Sequence, residues 1–154
     1  MPCVCLRKNN MLLKKGITGF FDSSADVLAE NDCSVFRKAC YAMCSGNREL
    51  IEICRPDNTS YFYAWFKLNG ESLYVLLNKF YPVTAFTNKL VINEKVFVDI
   101  SENPLSSFGY ETASAKLLNS CFSDTGHELS KGELQQIKYW NPVSVGNIIF
   151  NEWD

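Results

Sequence analysis

Ser60-Tyr61-Phe62-Tyr63-Ala64-Trp65-Phe66-Lys67-Leu68, then Asn69-Gly70, then Ser72-Leu73-Tyr74-Val75-Leu76-Leu77, is the stretch on which the fold turns. The first run is dense in aromatic and β-forming side chains. Asn-Gly is the preferred two-residue hairpin loop, because both of its positions need positive φ. The second run therefore returns antiparallel to the first. Tyr61, Tyr63 and Trp65 fall on one side of the strand, and Phe62, Ala64 and Phe66 on the other. With both sides apolar, the strand is expected to be central and covered on both faces rather than an open platform.

Working outward, Leu50–Cys54 reads as a strand that leads through the turn Arg55-Pro56-Asp57-Asn58 into this hairpin. Tyr81-Pro82 breaks the second run, and Val83–Thr87 and Lys95–Ile100 read as further strands. The result is an antiparallel meander of about four to five strands. Upstream, Ser23 or Ser24 is an expected N-cap, with a helix running through Phe36, Cys40, Met43 and Cys44 to a stop at Gly46-Asn47. Downstream, Tyr110, Ala113, Leu117, Leu118 and Cys121 lie at helical spacing. Ser130-Lys131-Gly132-Glu133 matches a capping box, its helix ending near Asn141, before Pro142. Ser144 is placed to cap a last helix carrying Val145, Ile148, Ile149 and Trp153. Strands between helices predict an α+β fold with helices packed on one face of the sheet.

The chain has 154 residues, which suits a single domain, 1–154. Its net charge of -2 argues against generic nucleic-acid binding, which wants a basic excess. The charge is uneven. Residues 1–56 carry 8 basic and 6 acidic groups, 57–100 carry 4 and 4, and 101–154 carry 3 and 7. The acidic last third points to a basic partner. No apolar run approaches the ~20 residues that span a bilayer, and the start of the chain has no signal-peptide pattern. A cytoplasmic protein with reduced cysteines is the expectation, with no membrane partner.

Seven cysteines and one histidine are the candidates for chemistry. Cys3/Cys5 and Cys40/Cys44 form two close pairs that only a favourable fold would join into a zinc site. Otherwise these thiols belong in the core as small apolar residues. A thiol- or zinc-dependent small enzyme using Cys40 and Cys44, with His127 as a base, is the alternative functional reading. His127 has Asp124 and Glu128 beside it and Cys121 upstream, but the surrounding sequence forms no known nucleophile turn. Gly16 and Gly19 match no phosphate loop.

The end of the chain is its most distinctive text. Glu133-Leu134-Gln135-Gln136-Ile137-Lys138-Tyr139-Trp140-Asn141-Pro142 leads into Val145-Gly146-Asn147-Ile148-Ile149-Phe150-Asn151-Glu152-Trp153-Asp154. This ending resembles that of small bacterial immunity proteins of the toxin–immunity type, including those of contact-dependent growth inhibition. Tyr74–Leu77, Phe80-Tyr81-Pro82 and Ala85-Phe86 are similar to the same group, so the resemblance covers about residues 61–154. It implies a non-enzymatic, cofactor-free inhibitor that binds a cognate toxin C-terminal domain and blocks its active site or its substrate access. Such toxins are often nucleases, with a basic substrate-binding surface. Asp124, Glu128 and Glu133, clustered between two helices, are the expected partner contacts, and an open edge of the meander is a second place for a toxin strand. The signature residues themselves also have a structural role: Gly146 would let the last helix approach the sheet, and Ile148, Ile149 and Trp153 would anchor it.

Overall fold

A computed structural model describes residues 12–101 and 103–153. The strands are β1 (Arg48–Cys54), β2 (Tyr61–Leu68), β3 (Glu71–Asn78), β4 (Val83–Thr87), β5 (Phe97–Val98) and β6 (Glu111–Thr112). They form one sheet in the order β1-β2-β3-β4-β5, all antiparallel, with β6 added parallel to β4. The expected meander is present, and the fold is α+β. Asn69 and Gly70 take φ of 52° and 83° in the tight turn, the handedness an antiparallel two-residue hairpin demands. Tyr61 pairs with Asn78 at one end of that hairpin and Leu68 with Glu71 at the other.

The helices are α1 (Cys33–Ala42), α2 (Ala115–Leu118), α3 (Lys131–Trp140) and α4 (Val145–Ile149), with short 3-10 turns at Ser24–Asp26 and Leu105–Phe108. They cover both faces of the sheet, not one. Phe36, Ala39, Cys40 and Met43 of α1 pack with Phe62, Ala64 and Phe66 of β2 and Leu73, Val75 and Leu77 of β3. The opposite face, with Tyr61, Leu76 and Ala85, receives Leu118, Ile137, Val145, Ile148, Ile149 and Phe150. Alternation along β2 and β3 thus sends successive side chains into two separate cores.

Two helices are shorter than their apolar periodicity suggests. The cap of α1 lies nine residues after Ser23, the first capping candidate, because Asp32 is the residue whose carboxylate accepts the free amide of Ser34 at 2.8 Å. The Tyr110–Cys121 stretch keeps only Ala115–Leu118 as helix. Glu111 and Thr112 instead extend beside β4, where the Glu111 amide donates to the Pro82 carbonyl at 2.8 Å and the Ala113 amide to Thr84 at 3.0 Å. Competition from a sheet edge overrides the local helical spacing. At Ser130 the capping box is complete, with Glu133 N to Ser130 Oγ at 3.2 Å and Ser130 N to Glu133 Oε1 at 3.0 Å. The last helix stops at Ile149, so Trp153 lies beyond it, stacked on Trp140 with parallel rings and centroids 6.4 Å apart. Gly146 does allow close approach: a Cβ there would stand 2.2 Å from the ring of Phe97. Among the described residues, no helix is long and apolar enough to cross a membrane.

Candidate functional site

The three acidic residues expected to meet a partner do not share a surface. Asp124 is exposed and accepts from His127 Nε2 at 2.7 Å. Glu128 is exposed, and its backbone amide ties the loop to the Leu13 carbonyl at 2.8 Å. Glu133 is fully buried. Its carboxylate accepts from Gly16 N at 2.9 Å, Thr18 N at 3.1 Å and Thr18 Oγ1 at 2.5 Å, as well as from the Ser130 amide. A carboxylate with this many donors is stable inside the protein. Glu133 is therefore corrected from a partner contact to an internal clamp that fastens the 16–18 turn to α3.

The thiol and histidine chemistry is also redistributed. Cys40 is buried in the α1 core, and burial pushes its thiol up to about 12, far from a reactive thiolate. Cys44 is exposed, and Cys33 and Cys54 are half-buried. Among the described residues, no group of three or more His, Cys, Asp or Glu side chains is placed to hold a metal. Cys3 and Cys5 lie outside the described residues. Cys121 is disulfide-bonded, which corrects the expectation of reduced thiols throughout and removes it as a nucleophile for His127. His127 Nδ1 accepts from the Leu129 amide at 3.1 Å, so the ring proton sits on Nε2 and faces Asp124. The ring lies against Phe122, with centroids 5.7 Å apart. These bonds hold the loop in shape and aim the imidazole at no nucleophile.

The expected cover on both faces of β2 is incomplete. Tyr63 and Trp65 are half-buried, and Tyr74 of β3 stacks on Trp65 at 6.2 Å while Lys67 Nζ lies 5.7 Å from the Trp65 ring. β1 forms the outer edge, with a bulge between Leu50 and Glu52 that interrupts its register. Bulges of this kind discourage addition of a further strand. The other end of the sheet is blocked at Phe97, whose amide and carbonyl are both bonded to the Asn119 side chain at 2.9 and 3.0 Å.

The arrangement least visible in the sequence lies where the 91–96 loop meets the C-terminal segment. Lys95 is fully buried and its Nζ pairs with Glu152 Oε2 at 2.6 Å. Tyr61 donates its hydroxyl to the same oxygen, and the Asn93 amide donates to Oε1 at 3.1 Å. Asn147 bonds the Lys95 backbone on both sides, accepting from its amide at 2.9 Å and donating to its carbonyl at 3.0 Å. Burial lowers the Lys95 pKa, opposed by Glu152; burial first, and then the bond to Glu152, raise that of Tyr61. Val91, Ile92, Val96 and Val143 on the segments tied to this centre, and Tyr139 on α3, expose between 43% and 78% of their surface. Val96 follows Lys95, and Val143 precedes Ser144, whose hydroxyl accepts from Asn147 at 2.8 Å. The clamp thus holds two exposed apolar segments in place, a feature that marks interaction sites more often than catalytic ones. A periodicity search misses it because none of these side chains repeats on one helix or strand.

No protein-family model, no curated protein and no solved structure matches the chain.

Proposed function

We propose that this chain is an immunity protein, a non-enzymatic inhibitor that binds a cognate bacterial toxin domain and covers its active site or its route to substrate. The observation that carries the reading is the set of exposed apolar side chains Val91, Ile92, Val96 and Val143, displayed from segments fixed by Lys95, Asn147 and Glu152, together with Tyr139 on α3. Rigid apolar anchors bind at low entropic cost, and a few of them dominate the affinity of a protein interface. The resemblance of the 133–154 segment to the ending of immunity proteins supports the same conclusion.

Charge has a smaller part in this reading than composition suggests. Glu133 is buried, and Glu152 is neutralised by Lys95, so two carboxylates of the acidic last third face inward. Asp124 and Glu128 remain exposed and would act on a basic toxin chiefly through encounter rate and specificity. The site of action would be the cytoplasm of the toxin-producing cell.

Co-expression tests the proposal. The toxin C-terminal domain encoded beside this chain is expressed in cells with and without it. Survival only in its presence supports the immunity role; equal killing in both cultures removes it.

A further inference from the structure

Lys79 immediately follows β3 and is only 3% exposed. Its backbone is fixed on both sides, the amide donating to the Ser60 carbonyl at 2.8 Å and the carbonyl accepting from Asn31 at 2.6 Å. Its Nζ donates to the Pro56 carbonyl at 2.6 Å. An ammonium carries three donors, and a neutral carbonyl satisfies one of them without compensating the charge. Among the described residues, Lys79 has no ion pair. Of the two carboxylates nearby, Glu30 is taken up by Arg55, with Nη2 at 2.7 and 2.8 Å and Nε at 3.1 Å. Asp57 is 93% exposed at its side chain and 3.7 Å from Arg55, so solvent screens it. Burial, and then the neighbouring Arg55 guanidinium, lower the Lys79 pKa, and the more distant pull of Glu30 and Asp57 only partly opposes them.

Lys79 also lines an open cleft of about 260 Å³, with Arg55, Glu30, Asp57, Asn58 and Trp153 among its walls. Among the described residues, no acceptor takes the Asn58 amide or the Trp153 indole N–H. The cleft therefore combines a buried, uncompensated positive charge with neutral donors and enough room for a small group. We propose that it binds a small oxyanion, a phosphate or a carboxylate, which the remaining N–H donors of Lys79 receive as counter-ion while Asn58 and Trp153 flank it. This site is separate from the exposed apolar segments and does not depend on the immunity reading.

The test is titration of the full chain with inorganic phosphate, and separately with acetate, in low-salt buffer, followed by calorimetry and by the indole N–H resonance of Trp153. Saturable binding that moves that resonance is expected. Saturation by phosphate alone assigns a tetrahedral ligand, and by acetate alone a carboxylate. Lys79→Met is expected to weaken binding about tenfold or more, the loss of one charge-assisted bond. Should that variant not fold, Asn58→Asp, which replaces a neutral flanking donor with a carboxylate, is expected to weaken it by a smaller but measurable factor, since solvent screens much of a rim charge. Absence of saturable binding by either anion overturns the proposal. So does unchanged affinity in folded Lys79→Met, or in Asn58→Asp where Lys79→Met does not fold.

Discussion

Lys95 Nζ lies 2.6 Å from Glu152 Oε2, and this pair joins the 91–96 loop to the segment that follows α4. Lys95 is wholly buried, so the pair cannot be treated as a surface ion pair of negligible worth. Removing one partner leaves the other charge buried and unmatched. Glu152→Gln and Lys95→Met are each expected to cost about 3–5 kcal/mol in urea unfolding. The double variant is expected to cost clearly less than the sum of the two. Additive losses would show that the residues do not act as a pair.

Glu133 provides a second test of where the carboxylates work. It closes the capping box and accepts the Gly16 and Thr18 amides. Glu133→Gln keeps the shape but loses the charge and presents N–H groups to donors. It is expected to lower stability by about 1–3 kcal/mol and to speed hydrogen exchange at Gly16 and Thr18. Asp124→Lys with Glu128→Lys, both on the surface, is expected to change stability by less than about 0.5 kcal/mol. A Glu133 variant as stable as the parent would return that residue to the list of free surface groups.

The approach of α4 to β5 is tight at one point. Gly146→Ala would set a Cβ against the Phe97 ring and is expected to cost about 1–3 kcal/mol through overpacking. Phe97→Leu, destabilising alone, is expected to relieve part of that cost when the two are combined. Absence of any such coupling would mean that the helix shifts freely.

Alkaline conditions probe the α1 core. Cys40 is raised from 9.0 to about 12 by burial, and Tyr110 from 10.0 to about 12, again chiefly by burial. In both cases the unfolded chain loses its proton first. Their contribution to stability is complete below pH 9 and is lost as the pH rises toward 12. Cys40→Ala is expected to flatten the fall in stability between pH 9 and 11. At pH 8 a thiol reagent is expected to label Cys44 quickly and Cys40 only after unfolding. Rapid native labelling of Cys40 would contradict its burial and reopen thiol chemistry at that position.

The hairpin, the meander and the capping box were legible because each rests on local chemistry: Asn69-Gly70 fixes a turn, and Ser130 with Glu133 fixes a helix start. α2 was overestimated because Tyr110–Thr112 meets a free edge of β4, a long-range competitor that spacing does not report. Candidate site residues were less legible. Glu133 reads as an exposed acid in a helix's first turn, and only its contact with the distant 16–18 turn makes it internal. Lys79 and Lys95 look like ordinary surface lysines in the sequence. Their burial follows from how Pro56 and Glu152 fold over them, and neither sequence neighbourhood announces it. The exposed apolar segments were missed for a related reason, since they become one feature only after Lys95 and Asn147 join them.

Calorimetric binding of the toxin C-terminal domain proposed as partner, measured for the parent chain and a triple variant, decides whether the exposed apolar side chains form the interface. The variant is Ile92→Ser with Val96→Ser and Tyr139→Ser, and its own unfolding is expected to stay within about 0.5 kcal/mol per exposed site. Tight binding by the parent is expected, with a loss of about a hundredfold or more in the variant, as anchor residues are removed. No binding by the parent, or equal binding by both proteins, would contradict it.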